Sequence, residues 1–187
     1  MLTRLASGLD VQPLLNKLVA VPELWNISTL RQDYPGSAHH DTKAIMVRGP
    51  KPNTLPIMFN DIEAVSVSSS DVLQPEVGEL VDAVLAHIPQ AGKLGRVMLV
   101  NLKAGGSVDR HEDQGRYAET YTRFHVPLVS EIGNEFLCGE QTQNMNVGEL
   151  WWFNHRIPHE VHNKSLSDRI HLIVDVISNT PITPQKD

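Results

Sequence analysis

His111-Glu112-Asp113 places an imidazole and a carboxylate two residues apart, on the same side of an extended segment. A further imidazole, His159, lies in the run Asn154-His155-Arg156-Ile157-Pro158-His159-Glu160-Val161-His162-Asn163. Two histidines and one carboxylate make the facial triad that binds non-haem Fe(II) and leaves coordination positions open for other ligands. The chain holds rivals: His39-His40-Asp41 repeats the H-X-D spacing, and His155 and His162 compete with His159 as the distal ligand. His111 and Asp113 rank first because they stand at the entrance to the strand-rich half, whereas His39 lies in a proline-broken region. His159 leads because Arg169 follows ten residues later, at the start of the next strand, within reach of the same cavity.

Strand alternation gives a second signal. In Thr120 to Val129, Tyr121, Arg123 and His125 share one face, and Phe124, Val126 and Leu128 share the other. In Arg169 to Ile177, Arg169, His171, Ile173 and Asp175 line one face, opposite Ile170, Leu172, Val174 and Val176. Both strands carry Arg-X-His opposite an apolar face. Such a polar face either meets solvent, as in most antiparallel sheets, or lines a barrel that holds a charged ligand.

These residues need a frame. Short strands are expected at Arg96 to Leu102, Thr120 to Val129, Glu135 to Cys138, Gly148 to Phe153, His159 to Asn163 and Arg169 to Ile177, with turns at Gly105-Gly106, Gly133-Asn134 and Asn144 to Asn146. That spacing is characteristic of a sandwich or barrel. Ahead of it, Val11, Leu14, Leu15, Leu18 and Val19 mark one helical stripe, capped by Asp10 and ended by Pro22. A second stripe runs through Val77, Leu80, Val81, Val84, Leu85 and Ile88, between Pro75 and Pro89. From Asp33 to Ser70, prolines break the chain into loops and edge strands such as Lys43 to Val47 and Pro56 to Phe59. The expected fold class is α+β, mainly β, with N-terminal supporting helices. A single domain is expected over 1–187, with helices and substrate-side loops over 1–92 and the strand core over 93–180.

Composition narrows the function. The chain has 187 residues, 22 acidic against 16 basic, and a formal charge of -6. With no dense basic run, nucleic-acid binding is not expected. The lone Cys138 excludes an internal disulfide and suits a reducing cytoplasm. No apolar stretch approaches the ~20 residues of a membrane helix. The N-terminal apolar residues are interrupted by Gly8, Asp10, Gln12 and Pro13, unlike a secretory signal. Tyr117, Tyr121, Trp151, Trp152 and Phe153 are candidate pocket walls, with alternation sending one of the two tryptophans inward; Trp151 is taken as the substrate-side residue. Arg48, in the less regular half, is the candidate for a substrate carboxylate.

Four segments carry a family resemblance: R-F-H-V-P-L (Arg123 to Leu128), G-E-L-W-W-F (Gly148 to Phe153), P-H-E-V-H-N (Pro158 to Asn163) and R-I-H-L-I-V-D-V (Arg169 to Val176). In this order they resemble the aspartyl/asparaginyl β-hydroxylase family of Fe(II)/2-oxoglutarate-dependent dioxygenases, and the chain is also similar to bacterial proline hydroxylases. The resemblance covers roughly the C-terminal half. It implies a double-stranded β-helix, the jelly-roll of cupin-like proteins, with iron on His111, Asp113 and His159. It also implies that Arg169 binds the far carboxylate of 2-oxoglutarate while Arg123 and His125 hold its other end. Family members that hydroxylate Asp and Asn in protein domains have glycine where this chain has Asp113, so the fuller triad is closer to that of free-amino-acid hydroxylases.

The charges agree with this reading. A doubly positive iron, one carboxylate ligand and a doubly negative keto acid leave one negative charge, which a buried arginine offsets with two parallel hydrogen bonds. The resemblance thus implies hydroxylation of an unactivated C–H in an amino acid or amino-acid-derived small molecule, consuming O2 and releasing succinate and CO2. The alternatives are an Asp, Asn or Pro side chain in a peptide, or an inert jelly-roll that binds a metal or carboxylate.

Overall fold

The computed structural model describes residues 2–50 and 63–178, and it is built from two antiparallel sheets. Its strands are β1 (Leu2–Ala6), β2 (Thr42–Gly49), β3 (Val65–Ser66), β4 (Ala91–Leu102), β5 (Ser107–His111), β6 (Thr122–Val129), β7 (Asn134–Cys138), β8 (Gln141–Gln143), β9 (Leu150–Phe153), β10 (His159–Asn163) and β11 (Arg169–Ser178). The larger sheet has the order β1-β9-β6-β11-β4-β2-β3, and the smaller one β5-β10-β7-β8. Two facing sheets whose sequential strands alternate between them form the expected jelly-roll.

The helices are α1 (Gln12–Ala20), α2 (Leu30–Asp33), α3 (Gln74–Ala86) and α4 (Gly115–Thr120). Asp10 Oδ1 accepts from the Gln12 amide at 3.0 Å and so satisfies one of the free donors that open α1. Val11, Leu14 and Leu18 are buried as the stripe requires, but Val19 is 75% exposed. On α3 the stripe of Val77, Leu80, Val81 and Val84 is wholly buried. Both helices pack on the outer face of the larger sheet, where Leu99, Phe124, Val126, Leu172 and Val174 complete the main core. The apolar alternates of β6 and β11 are therefore spent on the helices, which directs their polar alternates into the space between the sheets.

The first half contributes more to the sheets than its prolines suggest. β1 pairs with β9 through Leu2↔Phe153 and Thr3↔Trp152. β2 pairs along β4, so the expected Lys43 to Val47 strand lies inside the larger sheet. The expected strand at Pro56 to Phe59 lies outside the described residues. The polar strands β5 and β8 and the short α4 were not expected; α4 takes Thr120, the first residue of the strand expected from Thr120 to Val129. At the β4–β5 connection Gly105 has φ +70, where a side chain would be strained. Among the described residues, no helix is long and apolar enough to cross a membrane.

Candidate metal and cosubstrate site

β5 and β10 bring the two histidines together. Their antiparallel register sets His159 directly opposite His111, where cross-strand side chains are neighbours, and the ring centroids lie 4.3 Å apart. Each Nδ1 donates to a carbonyl two residues upstream, His111 to Asp109 at 2.7 Å and His159 to Ile157 at 3.0 Å. That assignment fixes the tautomer and leaves both Nε2 lone pairs free for a metal. Asp113 follows β5, where its amide donates to the His155 carbonyl at 2.9 Å. Its Oδ1 lies 3.8 Å from His111 Nε2. One ligand atom from each of the three residues falls within 4.8 Å of the others, as a shared ion requires.

The rival histidines are otherwise engaged. His39 Nδ1 accepts from Arg31 Nη2 at 3.0 Å, and burial and the Arg31 charge pull its pKa down to about 2. His155 Nε2 pairs with the Ala118 carbonyl at 3.0 Å. His162 lies on the opposite face of β10 beside Glu160, 3.6 Å away.

Asp113 is braced from behind. Its Oδ2 accepts from Arg123 Nη1, while Arg123 Nε and Nη2 donate to the two oxygens of Asp175 at 2.8 and 2.9 Å. Tyr117 donates to the same Asp175 at 3.1 Å and accepts from the Arg96 amide at 2.7 Å. Burial alone would raise the Asp113 carboxyl, but Arg123 and the imidazoles of His159, His155 and His111 hold it well below the usual carboxylate range. It is therefore ionised and ready to bind a cation. In the same way burial would lower the Arg123 pKa, and the two carboxylates more than offset it.

A small cavity, open to solvent, lies between the sheets in front of the two histidines. His125, Arg169 and His171 line it, from β6 and β11. All three are buried, at 6%, 5% and 0% exposure, so the polar faces of these strands are interior. Arg169 Nη2 donates to His171 Nδ1 at 3.0 Å, and no carboxylate among the described residues pairs with it. Burial lowers its pKa to about 9. Burial, with Arg169 beside them, also pushes His125 and His171 well below 6.5. Both ring nitrogens of His125 and Nε2 of His171 have no hydrogen-bond partner. Such orphaned groups facing one cavity are the signature of a polar, anionic ligand.

Two expected substrate residues are placed elsewhere. Arg48 donates to the Gly95 carbonyl at 3.3 Å, the Ala64 carbonyl at 2.8 Å and Ser66 Oγ at 3.4 Å, so its guanidinium is committed to tying β2 to its neighbours. Trp151 is buried among Leu2, Leu102 and Met145, with Nε1 donating to Glu149 at 2.8 Å. Neither lines the cavity. Sequence reasoning put Asp175 on the correct face but gave it no role, gave none to Arg31, and took Tyr117 only as a candidate pocket wall. For Asp175 the signal was a lone acid on the Arg169–His171 face of an interior strand.

The fold and site together define a jelly-roll in which two histidines and a carboxylate cluster as a candidate metal centre beside a cationic inner cavity. The chain's residues 53–179 match the family model of the aspartyl/asparaginyl β-hydroxylases; this is more than half of the chain, which belongs to that family. An L-proline cis-4-hydroxylase of Rhizobium meliloti is 27% identical over 77 residues, which cover 41% of this chain and 28% of that relative. The chain thus spans well under two thirds of that relative's length. Among solved structures, a prolyl hydroxylase from Trichoplax adhaerens, in complex with a hypoxia inducible factor peptide fragment, aligns with TM-score 0.56 at 12% identity. That alignment covers 95% of this chain and 83% of that one. A 2OG-Fe(II) oxygenase family oxidoreductase from Burkholderia pseudomallei aligns with TM-score 0.50 at 13% identity, over 91% and 92%. At these identities the two structures share the fold.

Proposed function

We propose that the protein is an Fe(II)- and 2-oxoglutarate-dependent dioxygenase that hydroxylates an unactivated C–H of an amino acid or amino-acid-derived small molecule. The observation that carries this reading is the convergence of His111, Asp113 and His159 at a cavity that also presents a buried arginine with no carboxylate partner, Arg169. A triad with open positions suits non-haem iron. The buried guanidinium of Arg169 and the partnerless nitrogens of His125 and His171 suit a dicarboxylate. Fit to both groups is thus supported by this chain's own donor set.

His111, Asp113 and His159 would hold Fe(II), and Arg169 the distal carboxylate of 2-oxoglutarate, with His125 donating or accepting beside it. Arg123, expected to hold the cosubstrate, braces Asp113 instead: it holds Oδ2, so that Oδ1 would be the oxygen available to a metal. When bound together, the iron and keto acid supply oxidative decarboxylation to succinate and CO2 and the activation of O2 for C–H cleavage. The protein orients these groups and excludes water with Phe136, Phe153 and Val161 around the histidines. The similarity to an L-proline hydroxylase supports a small amino-acid substrate.

Anaerobic addition of Fe(II) and 2-oxoglutarate should produce a visible metal-to-ligand charge-transfer band, and admission of air across an amino-acid panel should release succinate. Absence of both would refute the proposal.

A further inference from the structure

Arg31 is the other cation of the cavity without an acid. It projects from α2, a single turn on the rim, and lines the same cavity as His111, Arg123 and Arg169. Nη2 is held by His39 Nδ1 at 3.0 Å, and Nη1 lies 3.7 Å from the Met98 sulfur, a weak acceptor. Nε is buried with no hydrogen-bond partner. Among the described residues no carboxylate lies within ion-pair distance of it. Burial, then the nearby charge of Arg123, lowers its pKa to about 10.

The support around Arg31 is specific. His39, kept neutral, accepts from the guanidinium and so carries its own proton on Nε2. Its ring then meets His111 edge-on, with centroids 4.7 Å apart. His39 is itself held, since its backbone amide donates to Ser37 Oγ at 3.1 Å and Ser37 Oγ donates to the Arg31 carbonyl at 2.6 Å. A guanidinium fixed this close to a candidate metal histidine, lining the cavity and with its Nε donor unused, is a preorganised receptor for an anion. Arg123 is occupied by two carboxylates, and Arg169 is assigned to the cosubstrate. Arg31 is the cation left over.

We propose that Arg31 binds the carboxylate of the substrate to be hydroxylated and so fixes it over the metal; this rests on the dioxygenase reading above. The residue is a specificity determinant, and His39 is its positioning partner. The substrate class is accordingly one with a free carboxylate, and a carboxamide of the same skeleton is excluded because the fork would face an N–H₂ donor.

The test uses full-length protein loaded anaerobically with Fe(II) and 2-oxoglutarate, titrated with the twenty common L-amino acids and with their carboxamides. Perturbation of the charge-transfer band and calorimetry are the readouts. At least one acid should perturb the band while its amide does not. Arg31→Gln should weaken that acid at least tenfold, and up to about a hundredfold, the range for a charge-assisted hydrogen bond. It should still form the charge-transfer band when loaded with Fe(II) and 2-oxoglutarate. Arg31→Lys should recover part of the loss. The assignment is overturned if no acid perturbs the band, if amides bind as well as acids, or if Arg31→Gln binds the acid within twofold of the parent. A wild-type protein that forms no band at all overturns the dioxygenase reading itself, and the Arg31 assignment with it.

Discussion

Replacing Arg169 with methionine should make the empty protein more stable while abolishing its response to 2-oxoglutarate. The side chain is buried, with the neutral His171 imidazole at 3.0 Å as its hydrogen-bond partner, and burial pulls its pKa from 12.5 to about 9. At about 1.4 kcal/mol per pH unit, keeping the guanidinium charged near pH 7 costs on the order of 5 kcal/mol. Methionine keeps the aliphatic reach and removes the charge. It leaves His171 Nδ1 unpaired and packs imperfectly, which together cost roughly 2–3 kcal/mol. The net gain is about 2–3 kcal/mol, in line with replacements of buried charges by apolar groups, and raises Tm by about 2–4 °C per kcal/mol in a domain of this size. A base with a lowered pKa is penalised in full below its folded value and relieved as pH rises between about 9 and 12.5. The difference between variant and wild type should therefore be flat from pH 6 to 8 and shrink above pH 9. Thermal denaturation of metal-loaded protein, with and without 2-oxoglutarate, checks both halves. Ligand at a hundred times its Kd stabilises the wild type by ~2.7 kcal/mol and the variant not at all. A variant that melts below the wild type, or that 2-oxoglutarate still stabilises, refutes the reasoning.

His111→Ala, Asp113→Ala and His159→Ala should each weaken Fe(II) binding, read from the charge-transfer band, by at least about a hundredfold, since each removes one of three ligands; His39→Ala should leave the band intact, and the reverse pattern would move the site to His39-His40-Asp41. Asp175→Asn strips Arg123 of its bidentate partner, so chemical denaturation should show a loss of roughly 3 kcal/mol and metal titration a 10–100-fold weaker site; unchanged metal affinity would mean that Asp113 needs no brace. Asn163, 1% exposed, donates to the carbonyls of Leu102, Lys103 and Ser167 at 3.2, 3.1 and 2.8 Å and accepts from Ser165 Oγ at 2.6 Å. Asn163→Ala should cost roughly 2–3 kcal/mol in urea denaturation, and a loss under 1 kcal/mol would show that water replaces those bonds.

Much of this site is readable from the chain because its determinants are periodic. Alternation alone put Arg123 with His125, and Arg169 with His171 and Asp175, on single faces, and the helices that cover Phe124 and Leu172 decide that those faces point inward. The clustering of the candidate metal residues is legible by spacing, since H-X-D on an extended segment aims both side chains to one side. Arg31 has no such signature. It reaches the cavity from a four-residue helix through the fold of the chain between α1 and β2, and nothing local encodes that approach. Arg48 misled for the complementary reason: a strand arginine beside loops looks available, yet backbone carbonyls from β4 and the segment before β3 claim it. Val19 was misread because α1 is narrow in its buried arc, so the edge of its stripe is left in solvent. β1 was missed because five residues carry too little alternation to be distinguished from a tail, and its partner β9 lies far along the chain.

The division of Arg123 between Asp113 and Asp175 sets the order in which the site can fill. Three guanidiniums, Arg31, Arg123 and Arg169, face two carboxylates, leaving the empty chamber one positive charge in excess. A divalent metal deepens that excess, and a dianionic keto acid then enters a strongly attractive field and restores the original single positive charge. A substrate carboxylate at Arg31 brings the total to neutral. Each anion is thus the counterion of the state before it, and reciprocity follows: if metal raises the affinity for 2-oxoglutarate by some factor, 2-oxoglutarate must raise the affinity for metal by the same factor. On the proposed function, scarcity of the keto acid would therefore loosen the hold on the metal.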